Sequence, residues 1–246
     1  MPVAFFADLH IHTCLSPCAE LSMTPRGIVD KAASLGINIL AVCDHNAAEN
    51  VAVTVDLAKR KGISVIAAME ITSAEEVHVL GFFRNIETVL RMQAVVYEHL
   101  QHGENDEDSY GMQVIVNADD EVLGFNRRLL IGATSLSVNR IVDIIHELGG
   151  IAAASHIDRE GFGIIGQLGF ISPDFGFDAL EISYRTEYSR ALELYEAYRP
   201  IPWFSSSDAH RIDEIGRRTS RFMINHATFE ELHLALLGKE GRRIFF

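Results

Sequence analysis

Short apolar runs recur along the chain, and most are followed by a stretch of helical periodicity. The first run, Val3 to Phe6, leads into Asp8-Leu9-His10-Ile11-His12. A helix fits Pro25 to Leu35, with Thr24 as N-cap, Pro25 in the first turn and Gly36 just past the end. The second run, Ile37 to Cys43, ends in Asp44-His45-Asn46, and a helix from about Ala48 to Lys61 stops at Gly62. The third run, Ile63 to Met69, ends in Glu70, and Val77 to Phe83 has strand character. Helical spacing returns from Ile86 to Leu100. Beyond it, Gln101 to Tyr110 reads as an acidic loop, Met112 to Val116 as a short strand, and Asn117 to Ile131 carries no clear pattern. Ser137 caps a helix ending at Gly149-Gly150, after which Ile151 to Ala154 runs into Ser155-His156. Phe177 to Ile182 precedes Ser183-Tyr184-Arg185 and a helix to about Tyr198, and Ile201 to Phe204 runs through three serines into Asp208-Ala209-His210. Arg221 to Ile224 is the last strand, and Thr228 with Glu231 has the spacing of a capping box.

Strands alternating with helices predict an α/β fold with parallel strands. No repeat and no linker rich in Pro, Gly or Ser interrupts residues 1–246, so one domain is expected, with an insertion at about 101–131.

The chemistry lies in where the runs stop. Five of them end in His, Asp or Glu: His10 and His12, Asp44 and His45, Glu70, His156, then Asp208 and His210. In a parallel α/β barrel the C-terminal ends of the strands meet on one face, so residues far apart in sequence share a pocket there. Imidazole and carboxylate together suit Zn, Mn or Fe. Residues i and i+2 of a strand share a face, so His10 and His12 can grip one ion, as can Asp208 and His210 if that strand stays extended.

Composition refines this picture. The net charge of −13 argues against a broad nucleic-acid surface, although carboxylates that bind metal are counted without the metal's charge. Three cysteines (Cys14, Cys18, Cys43) are no disulfide framework. The chain has no apolar stretch of about eighteen residues, and its first residues lack the signature of a signal peptide. A soluble cytoplasmic protein without a membrane partner is expected.

The series Asp8-Leu9-His10-Ile11-His12-Thr13, Cys43-Asp44-His45-Asn46, Glu70, Ser155-His156 and Ser207-Asp208-Ala209-His210 resembles the motifs of the PHP (polymerase and histidinol phosphatase) family, in order, to about residue 216. The resemblance implies a distorted seven-stranded β/α barrel similar to a TIM barrel, and a centre of two or three divalent ions that hydrolyses phosphoesters. By the same resemblance His10, His12, Glu70 and Asp208 hold one ion. Glu70 bridges to a second ion, held also by His156 and His78. His45 and His210 hold a third, with a ligand from the loop after His12. Many members read Ser-Asp-Gly in that loop, whereas this chain reads Ser16-Pro17-Cys18-Ala19-Glu20 with Pro17 in the Asp position. Glu20 is the expected replacement, as a carboxylate; Cys18 is the alternative and favours a softer metal. Asp8 and Asp44 are placed to orient imidazoles from behind.

Ions sharing a carboxylate activate water as the nucleophile, so no side-chain nucleophile is required. Arg159 and Arg185 are the expected phosphate contacts, because guanidinium grips phosphate bidentately. The charge and the lack of a basic run point to a small phosphomonoester, such as a nucleotide or metabolite phosphate, and away from extended nucleic acid. A nuclease, a metal-dependent amidohydrolase and a catalytically silent metal-binding domain are the competing readings.

Overall fold

The computed structural model describes residues 1–245. Its elements are β1 (Val3–Ile11), α1 (Pro25–Leu35), β2 (Ile39–Val42), α2 (Val51–Arg60), β3 (Ser64–Thr72), β4 (His78–Phe83), α3 (Ile86–His99), α4 (Glu107–Tyr110), β5 (Val114–Val116), β6 (Val122–Phe125), α5 (Val138–Glu147), β7 (Ile151–Ala154), α6 (Ile164–Leu168), β8 (Ala179–Glu181), α7 (Tyr188–Leu194), β9 (Trp203–Phe204), β10 (Ser220–Ile224), α8 (Phe229–Leu236) and β11 (Arg243–Phe245). Helix α1 has the bounds its caps predict: the Thr24 side chain accepts from the Gly27 N–H, and Gly36 takes the left-handed conformation at φ 70°. The helix read at Ala48 starts later, at Val51, behind an Asn50 whose side chain makes no cap bond.

Nine strands form one sheet in the order β11-β10-β1-β2-β3-β4-β7-β8-β9, two more than the seven expected. The runs β1-β2-β3 and β7-β8-β9 are each parallel, whereas β4 lies antiparallel between β3 and β7. Beyond β9 the chain returns alongside β1, where the His12 N–H donates to the Ala209 carbonyl at 3.0 Å. The sheet thus nearly closes into a barrel at the end where the parallel strands finish. At the opposite end β10 pairs with the first half of β1, and the Ser220 hydroxyl links it to Ser205. Strands β10 and β11 therefore fill the seam of a seven-stranded ring, which accounts for the difference in count.

Alternation decides what faces inward. Ala7, Leu9, Ile39, Ala41, Ile66 and Ala68 share an interior apolar cluster with Leu80, Phe82, Phe204 and Phe222, plugged from below by Phe229 and Leu232 of α8. The same period of two, carried upward, brings Glu70, His45 and Glu181 inward, and carried back along antiparallel β4 it brings His78 to the same end. In β1 the pairing with β2 shifts between Asp8 and Ile11, three residues against two. Such a bulge reverses the parity of the strand, so His10 and His12 turn inward above Leu9.

The segment 101–131 forms α4 and a separate two-stranded sheet of β5 and β6. The Val114 N–H donates to the Cys14 carbonyl at 2.8 Å, and the Asn46 amide donates to the carbonyls of Leu130 and Gly132 at 2.9 Å each. This segment therefore braces the loops after β1 and β2. Among the described residues no helix is long and apolar enough to cross a membrane.

Candidate metal centre

Glu70 is the hub of the site. Its side chain is 1 % exposed, and each carboxylate oxygen faces a different set of imidazoles. Oε1 lies 3.1 Å from His78 Nδ1 and 3.3 Å from both His10 Nε2 and His156 Nε2. Oε2 lies 3.2 Å from His45 Nδ1 and 3.4 Å from His12 Nε2. Asp208 Oδ1 stands 3.4 Å from His12 Nε2, 3.6 Å from His10 Nε2 and 3.7 Å from His210 Nδ1. Eight of the expected residues thus converge: His10, His12, His45, Glu70, His78, His156, Asp208 and His210.

Two features show that these donors suit divalent ions. First, donors about 2.0–2.2 Å from one ion, at angles from square to tetrahedral, are separated by roughly 2.8–3.6 Å; the distances from Glu70 fall in that span. Second, Glu70 Oε1, His45 Nδ1 and His78 Nδ1 are buried yet have no aligned hydrogen-bond partner. Buried polar atoms are normally satisfied, and divalent ions bound within the cluster would satisfy them.

The imidazoles are held from behind. His10 Nδ1 sits 2.9 Å and 3.2 Å from the two oxygens of Glu181, a buried carboxylate that also accepts the His156 N–H at 3.0 Å. This places the proton on Nδ1 and leaves Nε2 free toward Glu70. The Ser16 hydroxyl donates to Asp44 at 2.7 Å, so its oxygen accepts from His12 Nδ1 at 3.0 Å and from the His45 N–H at 3.1 Å. His210 Nδ1 donates to the Asp208 carbonyl at 2.9 Å. His10, His12 and His210 are therefore all set to offer Nε2.

Electrostatics agree. Burial pushes Glu70 up, but His78 and His10 outweigh it and hold the carboxyl well below its usual range. Burial and the neighbouring His210 push His12 down to about 3, and burial among other imidazoles lowers His45. Neutral imidazole is the ligating form. His10 is the exception, because Glu181, Glu70 and Asp208 overcome its burial and hold it well above the usual value.

The loop after His12 departs from expectation. Glu20 does not join the cluster: its carboxylate is half exposed and pairs with Arg211 Nε at 3.0 Å. Cys18 is the loop residue whose donor atom groups with His12, His45 and His210, all within 4.8 Å of one another. Turns closed by Ser16 N to Thr13 O and Ala19 N to Ser16 O, both 3.0 Å, bring the thiol of the exposed Cys18 to the mouth of the site and carry Glu20 past it.

Asp44 acts on His12 through Ser16 as described, whereas Asp8 touches no imidazole. The Asp8 carboxylate accepts the N–H of Ser207 at 2.9 Å and of Gly216 at 3.0 Å, and so fixes the loop that carries Asp208. The strand does not stay extended through Asp208, which has φ 50°. His156, at φ 26°, is also in the left-handed region. Strained backbone of this kind gathers at functional sites. Arg159 lies at the rim and donates to Asp208 Oδ2. Arg185 is exposed, and its Nε donates to the Tyr184 hydroxyl at 3.2 Å, so it does not touch the cluster. Arg217, not anticipated, clasps the carbonyls of Ser207 and Asp208 at 2.8 and 3.0 Å beneath the Tyr184 ring. Glu181 was also not anticipated; its signal is the inward parity of Ala179-Leu180-Glu181.

Comparison with known proteins fits this geometry. The Bacillus subtilis protein YqxK is 28 % identical over 105 residues, 41 % of this chain and 27 % of that protein. A 5'-3' exoribonuclease of Haemophilus influenzae is 32 % identical over 77 residues, 30 % of this chain and 27 % of the enzyme. The chain thus spans about a quarter of these curated relatives. The lesion-specific endonuclease Q of Pyrococcus furiosus has the same fold, with a TM-score of 0.75 at 20 % identity over 98 % of this chain and 58 % of that one. An endonuclease Q complex with a 27-mer duplex bearing an abasic lesion at the active site superposes with a TM-score of 0.74 at 21 % identity, again over 98 % of this chain and 58 % of that one.

That complex overturns the expectation of a small phosphorylated partner and the argument against nucleic acid. Endonuclease Q, 58 % of whose chain this fold covers, takes a duplex at its active site. The expectation failed because net charge counts the carboxylates of the candidate metal centre without any cation they would hold, and says nothing of the local field at the site. The PHP domain model matches residues 8–198, and Asp208 and His210 follow just beyond. The chain belongs to the PHP domain family of metal-dependent hydrolases.

Proposed function

We propose that this chain is a metal-dependent phosphodiesterase that cleaves nucleic acid. One observation carries the reading: Glu70 is buried among five imidazoles, with His10, His78 and His156 within 3.3 Å of Oε1 and His12 and His45 within 3.4 Å of Oε2, an arrangement suited to a carboxylate shared between ions. Divalent ions held there would supply Lewis acidity at a phosphate and a means of activating water. His10, His12, Glu70 and Asp208 form one set of donors, Glu70, His78 and His156 a second, and His45, His210 and Cys18 a third. Imidazole, carboxylate and a thiol suit Zn, Mn or Fe better than Mg or Ca.

The chain's own residues do the positioning. Glu181 and Ser16 fix the tautomers of His10 and His12, which removes the cost of ordering them when the site loads. Arg159 is placed to move from Asp208 to a phosphate oxygen, where its planar fork matches the geometry of the anion. Nucleic acid is favoured as substrate by the likeness to endonuclease Q across almost the whole chain and by the partial match to an exoribonuclease.

The test is cleavage of end-labelled oligonucleotides, single-stranded, duplex and duplex with an abasic site, with added Zn, Mn or Mg. Metal-dependent products from the wild type, absent from a His10→Ala, His12→Ala double variant, support the reading. A metal-loaded protein that leaves all three intact yet hydrolyses amide substrates would place it with the amidohydrolases instead.

A further inference from the structure

The loop from Asp158 to Gly163 holds an aromatic ring against the metal centre in a way that shielding alone does not explain. Phe162 has φ 60°, the left-handed region that a bulky side chain rarely occupies. Glycines stand on both sides of it, and the positive φ falls on neither. The result is that the Phe162 ring lies flat on His78, with centroids 4.4 Å apart and planes 14° apart. His78 in turn faces Glu70 at 3.1 Å. Phe162 as a residue is only partly buried. A leucine or valine in relaxed backbone would keep water from His78 equally well.

The loop is fixed at both ends. The Asp158 carboxylate accepts from the Ser183 N–H and hydroxyl, each at 2.7 Å, and from the Thr186 hydroxyl. The His78 N–H donates to the Phe162 carbonyl at 2.9 Å. A Cβ on Gly163 would stand 2.3 Å from the Arg159 carbonyl oxygen, so the chain can fold back this tightly only with glycine there. The same short loop delivers Arg159 to Asp208.

We propose that Phe162 is a stacking platform for the nucleobase next to the reacting phosphate, while Arg159 of the same loop holds that phosphate. The inference rests on the nucleic-acid reading above and adds the residue that recognises the base. Stacking suits a fixed, flat ring on a part-exposed residue, because every base offers a π-face. A ring already ordered by His78 loses little freedom when a base settles on its outer side.

The test compares two ligands on the metal-loaded protein by titration calorimetry: a nucleoside 5'-monophosphate and ribose 5-phosphate, which lacks only the base. The wild type is expected to prefer the nucleotide by about 5- to 150-fold, the usual range for one stacked base. Phe162→Ala should erase that preference and leave ribose phosphate binding and metal content unchanged, and Phe162→Trp should keep it. Equal affinity of the wild type for both ligands overturns the platform, as does an equal loss for both ligands in Phe162→Ala. Loss of metal from Phe162→Ala with the preference intact in Phe162→Leu also overturns it and assigns the ring to shielding His78. Because this measurement involves no cleavage, a platform that holds beside a failed oligonucleotide assay separates this inference from the proposed reaction.

Discussion

Replacing Glu181 by Gln is the sharpest perturbation of the centre that touches none of the donors proposed for the ions. In the wild type Oε2 accepts from His10 Nδ1 at 2.9 Å and from the His156 N–H at 3.0 Å, and Oε1 stands 3.2 Å from the same His10 nitrogen. Gln keeps the volume. Its oxygen can take the place of Oε2 and retain both bonds, but the amide nitrogen then faces another donor across the short Oε1 contact. The charge assistance is lost as well. Hydrogen bonds to charged groups contribute about 1.5–3 kcal/mol and neutral ones about 0.5–1.5, so the His10 tautomer loses roughly 1–2 kcal/mol of support. At about 1.4 kcal/mol per decade this is roughly a 5- to 30-fold weaker affinity for the ion on His10. It agrees with the 10- to 100-fold typical of lost partners behind metal ligands. Chelator competition would measure each ion's affinity, with circular dichroism to verify the fold. A folded Glu181→Gln protein that binds every ion as tightly as the wild type refutes the reasoning.

Other expectations follow from the same geometry. In Co(II)-substituted protein Cys18→Ser should abolish a near-ultraviolet thiolate charge-transfer band and lower the metal count, while Glu20→Ala changes neither; an unchanged spectrum in Cys18→Ser removes the thiol from the site. Phe204, 1 % exposed inside the ring, should cost about 3–5 kcal/mol on substitution by Ala, read by denaturant unfolding. The Glu231 carboxyl is held down to about 2 by its paired bonds to Arg242, at 2.8 and 3.0 Å. A depressed carboxyl stabilises the fold above its unfolded value of about 4.3, and that stability fades as pH falls through about 2. The Tm advantage of wild type over Arg242→Met should therefore be constant above about pH 5 and vanish near pH 2; an advantage that persists at pH 2 contradicts the pairing.

Much of the centre was legible because its residues sit where strands end, and strand ends are visible as the edge of an apolar run. Glu70 and His45 continue the inward parity of their strands, so reading the period of two was enough. His10 and His12 were found on sharing a face, although the bulge that turns them inward leaves no mark in the local pattern. Glu181 was passed over because β8 is only three residues long and the apolar run continues to Ile182. The end of the apolar run therefore does not mark it. The choice between Cys18 and Glu20 depended on two successive turns after Thr13, and spacing alone does not say which side chain such turns bring back. Asp208 and His210 share a face only if their strand stays extended; the chain bends at Asp208, and Asp8, which touches no imidazole, anchors the bend. The strands β10 and β11 lie in the seam between β1 and β9, and closure of a barrel is a property of the whole sheet, not of any one segment.

The most direct test of the account is a metal count, because the central claim is that Glu70 joins separate sets of donors. Native mass spectrometry of protein purified without chelator should find two or more divalent ions per chain in the wild type. Glu70→Gln, which breaks both sets, should retain at most one. A wild type that binds no ion when offered Zn, Mn or Fe(II), or a Glu70→Gln variant that keeps the full complement, contradicts the account.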